Sequence, residues 1–515
     1  METQKSVLLY LLAKRASLEC SLQVLADLER AQYGGVLFSA PKNINNFFER
    51  KREMKSKSST FRAVTILLLV GLLVSWSSAA TIIVGPGESA DYHTIQEAIN
   101  NSSSGDTIEV QPDIYHEQIN FYGKAITVTS TDPNNINVVY ATTIDAGNVG
   151  SVVRFDSGED DTSKLIGFTI QNGNSCGIYC YYSDPLISKC VLRFSRYGIY
   201  GSYSEPTIKD CVIRENSSTG IYDCDGEITN CNIIENSSYG IKSCDGLISN
   251  CEIKSNSGGG LYQCLCSIKD SVISENAHSG FDFGGNLYAS CQIENCLISG
   301  NLEFGVKLSG NNHNYQVVNC TVTGNGRSGF YCNTLNEVTL SNNIIVSNWQ
   351  YGIDNAGADL TLKYNNIWGN LDGNYDGLAP GDTDTHEDPL FALDGYWGIE
   401  DIWVEGDYHL KSIAGRWDPN SHMWVNDDVT SLCIDAGDPI GGCLDEPSPN
   451  GGRINQGAYG GTEKASRSPW GIEPYCAEYP AGDVNFDCKV DFTDFAIMST
   501  NWLECNLVPE SACWE

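Results

Sequence analysis

The sequence predicts an all-β protein, a parallel β-helix in which about nine or more short rungs stack into a solenoid. Three observations carry this. A glycine followed by an apolar residue recurs at Gly177, Gly198, Gly220, Gly240, Gly260, Gly280, Gly305, Gly329 and Gly352, at intervals of 20 to 25 residues. Self-similarity at that period marks an architecture in which one unit buries its apolar face only against its neighbours. Within each unit the runs are short and β-prone ("GIY", "EITN", "CNII"), separated by Gly, Asn, Asp and Ser, with no room for a useful helix. Equivalent residues also fall into ladders, as rungs paired in register about 4.8 Å apart require.

The residues after the glycines, Ile178, Ile199, Ile221, Ile241, Leu261, Phe281, Val306, Phe330 and Ile353, are expected to point inward. A second ladder runs Phe168, Cys190, Cys211, Cys231, Cys251, Ser271, Cys296, Cys320, Asn343 and Asn366. A third is Asn216, Asn236, Asn256, Asn276, Asn301, Asn325, Asn348 and Asn370. Asn accepts the left-handed backbone of a tight turn, and its amide can bond along the rod. Rung-to-rung Cβ spacing exceeds the ~3.8 Å that a disulfide prefers, so the ladder cysteines are expected as buried thiols. Cys433 with Cys443, and the tail group Cys476, Cys488, Cys505 and Cys513, are the better disulfide candidates.

Composition narrows the partners. Against 31 Lys and Arg stand 65 Asp and Glu, a formal net charge of −34. Such a surface repels nucleic-acid phosphates and anionic membranes. Residues 54–80 join a basic start (Lys55, Lys57, Arg62), an apolar run from Ala63 to Val74, and the small residues Ser78 and Ala80. That pattern is a secretory signal peptide, too short in its apolar part to span a bilayer, and it implies a secreted or cell-surface protein with no membrane span after cleavage. Residues 1–53 show no relation to the rest of the chain and are expected to be an over-long start. The predicted organisation continues with the β-helix at 81–465, a linker at 466–480 and a small module at 481–515.

The end cap and tail carry resemblances. Residues 92–130, "YHTIQEAINNSSSGDTIEVQPDIYHEQINFYGKAITVTS", resemble the N-terminal cap of secreted bacterial right-handed β-helix proteins related to pectate lyases and pectinesterases. In that family a cap helix closes the rod, and Ile95, Ala98 and Ile99 give this stretch the apolar face. Residues 431–462 resemble the closing segment of the same proteins. The resemblance implies a right-handed β-helix acting on or binding extracellular polysaccharide, as a lyase or glycosidase. The alternative on this superfold is a non-catalytic surface or adhesion protein. No family catalytic motif maps onto the chain; "DIYHE" (113–117) lacks the Gly of the pectinesterase GxYxE pattern.

In the tail, "DVNFDCKVDFTD" sets Asp483, Asn485, Asp487, Asp491 and Asp494 at positions 1, 3, 5, 9 and 12 of a calcium loop, with the Lys489 carbonyl at position 7. Loop and following helix resemble the first half of a type I dockerin, which implies calcium as cofactor and a cohesin-like scaffold or cell-surface protein as partner. Cys488 stands where the loop usually has Gly, and no second loop comes after it in the sequence.

Two outer stripes are candidates for function. Tyr179, Tyr200, Tyr222, Tyr262 and Tyr331 each lie two residues after a glycine, with Lys242 interrupting. Such rings fit sugar stacking, and equally a ladder that only stabilises itself. Asp184, Glu205, Asp225 and Asp245 occupy equivalent turns, with Asp223 nearby. Neighbouring carboxylates there would raise one another's pKa or hold calcium, with Lys242 or Arg214 as the proton-taking base; Asp-Pro and Asp-Gly are also ordinary turn pairs. The catalytic candidates are thus Asp223, Asp225, Asp245, Lys242 and Arg214.

Overall fold

The computed structural model describes residues 79–470, apart from 285–288, 310–312, 335–336 and 400–401, together with Phe495. It is a parallel β-solenoid of three sheets. The first sheet has thirteen strands, from Thr81–Val84 to Asp359–Lys363. The second has twelve, from Asp113–Tyr115 to Asn366–Trp368, and the third twelve, from Ile119–Asn120 to Gly373–Asp376. Each rung visits the third, first and second sheets in turn, as in Cys176–Tyr181, Leu186–Ser188 and Val191–Arg193. All nine inward residues after the glycines are fully buried.

In the rungs that start at Gly177, Gly198, Gly220, Gly240 and Gly260, all three bends are made the same way. One residue takes the left-handed conformation: Asp223 (φ 59°), Asn230 (φ 54°) and Glu235 (φ 57°) in one rung, Ser243, Asn250 and Ser255 in the next. That conformation costs a non-glycine residue roughly 1–2 kcal/mol. The cost is offset because its N–H still donates to the rung above: Asp223 to the Lys242 carbonyl at 3.0 Å, Asn230 to Ser249 at 3.1 Å, Glu235 to Lys254 at 3.1 Å.

The residue after each bend turns inward and has a polar task. Asn236 donates from Nδ2 to the Ile213 carbonyl (3.1 Å) and to Asn256 Oδ1 (3.0 Å), while its own Oδ1 accepts from the Asn216 backbone N–H and side-chain amide. Buried amides are tolerated because donors and acceptors are both used. At the bend between the first and second sheets the same position is a thiol; Cys231 Sγ donates to Thr229 O at 3.3 Å and Ile208 O at 3.7 Å. This ladder ends on Asn343 and Asn365, not Asn366: Asn343 Nδ2 donates to Asn365 Oδ1 at 3.0 Å. Tyr364 is the left-handed residue there, so the inward position falls one residue earlier than the spacing suggested. Asp384 Oδ1 then accepts from the Asn365 amide at 3.1 Å.

The stretch 92–130 is mostly additional rungs. Thr107–Val110, Ile119–Asn120 and Thr127–Ser130 extend the sheets. Before them α1 (Ile95–Asn101) buries Ile95, Ala98 and Ile99 in the same apolar core. Its first two free N–H groups donate to Glu117, Ile95 to Oε1 at 2.8 Å and Gln96 to Oε2 at 2.9 Å, which gives Glu117 a structural task.

The distal segment departs from expectation. Instead of closing the rod, much of residues 391–468 packs against the outside of the second sheet. Phe391, Trp403, Tyr408, Leu410, Cys433, Ile434 and Ala458 form a second core with Leu297, Ile344 and Val346. The Trp403 ring crosses the bend at Gly300 and Gly324, where a Cβ would lie 2.2 Å and 1.9 Å from ring atoms. Trp397 Nε1 donates to the Gly324 carbonyl at 2.8 Å, and Ala458 N to Thr321 Oγ1 at 3.0 Å. The sequence reports this cover: in one outward column of the second sheet Arg193, Arg214 and Lys254 give way to Ser274, Ser299, Thr323 and Val346, and in the other Asn232 and Glu252 give way to Val272, Leu297, Thr321 and Ile344. Cys433 and Cys443 are separate thiols, against the expected pairing.

Two of these buried groups have measurable consequences. Asn256→Ala should destabilise the fold by about 3 kcal/mol, since it strands the Asn236 amide and two carbonyls, and urea unfolding measures it. Burial raises the Glu446 carboxyl to about 7, against hydrogen bonds from Asn455 N and Gly461 N. A raised acid pKa means that the folded state holds the proton more tightly, so this group's contribution falls as pH rises from about 4.5 to about 7. Thermal unfolding of Glu446→Gln should lose that fall, worth about 3 kcal/mol across the window.

Candidate functional site

The third sheet carries one outward ladder through the whole solenoid: Asn120, Arg154, Tyr179, Tyr200, Tyr222, Lys242, Tyr262, Asp282, Lys307, Tyr331, Asp354 and Asp376, each paired in register with the next. The five tyrosines and Lys242 expected on one stripe therefore do share it. Arg154, Asp282 and Lys307 were missed, although Asp282 and Lys307 stand at the same offset after Gly280 and Gly305.

The rings are turned on each other. Tyr200 and Tyr222 stack at 5.2 Å between centroids, 18° from parallel, and Tyr197 lies 5.4 Å from Tyr222. Tyr239 stacks on Tyr262 at 4.6 Å. Self-stacked rings cover each other's faces, so the inner members offer edges and hydroxyls outward. The Lys242 ammonium sits 5.6, 5.8 and 5.3 Å from the Tyr222, Tyr239 and Tyr262 centroids. Lys307 pairs with Asp282 at 2.9 Å and Arg154 with Asp156 at 2.6 Å. No ion pair involves Lys242 among the described residues, so its charge is held by rings and left for another anion or hydroxyl.

Rung length shapes the corner between the third and first sheets. The rungs at Gly220, Gly240 and Gly260 are 20 residues each. Before them, the strands Cys176–Tyr181 and Tyr197–Ser202 run six residues, where Ile221–Tyr222 has two. After them, Ala289–Glu294 and His313–Val318 run six, where Ser267–Lys269 has three. The wider rungs fill their added width with Phe283 and Tyr315, edge to face at 4.9 Å. The short rungs thus form a recess three rungs across, about 14 Å by the ~4.8 Å spacing.

Asp223, Asp225, Asp245 and Lys242 lie at this recess. Burial, and then the Asp245 charge, hold the Asp223 carboxyl above the ordinary range; burial also raises Asp225, helped by Asp245 and Asp223. Asp225 Oδ1 accepts from the Asp245 N–H at 3.0 Å, Asp245 Oδ1 from Leu265 N at 3.0 Å, and Asp184 Oδ1 from Glu205 N at 2.6 Å. Three carboxylates of the acidic stripe therefore each tie their turn to the next. Arg214 is elsewhere: it lies on the second sheet, in register with Arg193, beside Glu215 at 3.5 Å. Among the described residues no three His, Cys, Asp or Glu side chains converge as a metal site. The calcium-loop residues Asp483, Asn485, Asp487, Lys489, Asp491 and Asp494 lie outside the described residues. A separate groove of about 600 Å³, lined by Asp270, Asn295, Tyr459 and Lys464 among others, lies where the distal segment meets the first bend of the second sheet.

A family model for the right-handed β-helix region matches residues 151–267 and 262–374, which hold the tyrosine ladder and the recess. None of the curated proteins searched matches the chain. Among solved structures, a pectate lyase aligns at TM-score 0.39 and 17% identity over 74% of this chain and 96% of its own. The A-module of an Azotobacter vinelandii mannuronan C-5 epimerase aligns at TM-score 0.34 and 15% identity, over 57% and 95%. A carrot pectin methylesterase aligns at 0.29 and 10%, over 55% and 87%.

The step into the recess depends on Gly201, where a Cβ would lie 2.4 Å from the Asp223 carbonyl oxygen. Gly201→Ala should therefore cost about 3 kcal/mol by overpacking against backbone, read as a lowered unfolding midpoint.

Proposed function

We propose that the chain is a secreted, carbohydrate-associated β-helix that binds an extracellular polysaccharide along its tyrosine-bearing face and across the recess. The observation that carries this is Lys242, an ammonium held over three rings with no carboxylate partner among the described residues, beside raised carboxyls and a row of tyrosine hydroxyls. A sugar polymer offers what that surface lacks, namely hydroxyls that both donate and accept, and carbon faces that cover ring edges. If the protein also cleaves its ligand as a lyase or glycosidase, Asp223, Asp225, Asp245 and Lys242 are the groups in the recess that can hold or pass a proton. The turn-tying bonds of Asp225 and Asp245 favour the second reading, a non-catalytic glycan binder. Attachment through calcium bound at Asp483–Asp494, to a cohesin-like or cell-surface partner, belongs to this proposal and is supported by the spacing of the oxygen donors. Among the described residues no helix is long and apolar enough to cross a membrane.

The full chain, incubated with acidic and neutral polysaccharides with and without calcium, is expected to be retained by at least one polymer in affinity electrophoresis. Lys242→Ala should weaken that retention about tenfold, the value of one charged hydrogen bond, with the fold retained and the unfolding midpoint lowered only by the lost ring contacts, about 1 kcal/mol. Unsaturated uronate ends would identify a lyase, new reducing ends alone a hydrolase, and binding without either the non-catalytic reading. A folded protein retained by no polymer overturns the proposal.

A further inference from the structure

Because the ladder rings stack on one another, a sugar ring must find its free aromatic face elsewhere, and one lies at the step where the solenoid narrows. Tyr182 and Tyr203 stand at the bend between the third and first sheets, and they stack at 5.0 Å, 11° from parallel. They are 58% and 73% exposed. Both hold the left-handed conformation, with φ 46° and 53°, at a bend that the next rungs make with Asp223, Ser243 and Gln263. A bulky residue is disfavoured in that conformation, and an exposed ring gains no burial to offset it.

Tyr203 is the last of the pair. Its 22-residue rung exceeds the following one by two residues, because Gly201, Ser202 and Tyr203 stand where the next rung has Asp223 alone. Ser202 and Tyr203 bulge between two points fixed to that next rung. Gly201 abuts the Asp223 carbonyl, and Ser204 O accepts from Asp225 N at 3.0 Å. Tyr203 thus stands in the bend next to the Asp223–Asp225 turn, and among the described residues Tyr182 is the one ring stacked on it.

We propose that Tyr203 is the stacking platform of a subsite for a neutral pyranose, whose hydroxyls donate to the carboxylates of Asp223 and Asp225. The ligand class comes from charge: carboxylates accept hydrogen bonds from hydroxyls, and they repel a uronate at the same position. The inference rests on the glycan-binding reading above and narrows it, by assigning this end of the recess to an uncharged sugar.

The test is isothermal titration of the full chain with neutral hexasaccharides of glucose, mannose and galactose, and with hexagalacturonate as the charged counterpart. At least one neutral hexasaccharide should bind. Tyr203→Ala should weaken it about tenfold, as loss of one aromatic platform does, and Tyr203→Trp should restore it. Tyr203 is exposed, so the unfolding midpoint of both variants should match that of the native protein. Neutral binding untouched by Tyr203→Ala overturns the subsite and leaves the glycan-binding reading standing. Hexagalacturonate losing as much affinity as the neutral sugar overturns the ligand class. A protein that binds no hexasaccharide and is retained by no polysaccharide overturns the broader reading with it.

Discussion

The molecule depends on keeping the inter-rung hydrogen bond unbroken through three bends per turn. A flat sheet bonds its neighbours without effort, but a coil must turn, and a turn normally removes backbone groups from the ladder. In the five rungs from Gly177 to Gly260 each bend costs one left-handed residue, and in most of them its N–H stays in the ladder. The carbonyls that the bend releases are taken up from inside by Asn amides and Cys thiols. Sequence and packing are thereby locked together. A one-residue slip would put Asn into the apolar stripe and leave carbonyls without donors, so register is specified at every bend.

The same device decides where function can sit. Since the interior is committed to the ladders, variation is confined to the outward offset of each strand and to the length of each bend. The third sheet uses the first freedom, with rings, cations and carboxylates in one row. The bend between the third and first sheets uses the second, shortening for three rungs and widening on both sides. Charge sharpens the contrast. In a chain of net −34, an ammonium supported by rings in place of a carboxylate is a local exception, and recognition sites are built from such exceptions.

Much of this was legible in the sequence. The glycine period set the rungs, the residue after each glycine gave the inward ladder, and the residue two places on gave the outward one. What spacing could not supply was the effect of unequal rungs. Tyr203 stands in none of the strand ladders, because it lies in the lengthened bend of its rung; only the folded chain places that bend beside Asp223 and Asp225. Arg214 failed for a related reason: nearness in sequence to the acidic turns hid the bend that puts it on another sheet. The distal segment was misread because a resemblance at 431–462 suggested a cap, whereas the better signal lay far upstream, in the apolar outward residues Leu297, Ile344 and Val346.

The buried thiols bear on how the chain reaches this state. All sixteen described cysteines are unpaired, and burial raises thiols such as Cys180, Cys224, Cys244 and Cys264 well above the ordinary range. Once folded, these four are poor nucleophiles sealed from oxidants. Before folding they are the reverse, a closely spaced set of reactive groups in which almost any pairing is wrong. Export into an oxidising space would make folding a race between rung-by-rung zippering and thiol oxidation. A solenoid has an advantage in that race, since each rung needs only its neighbour and can bury its own thiols as it forms.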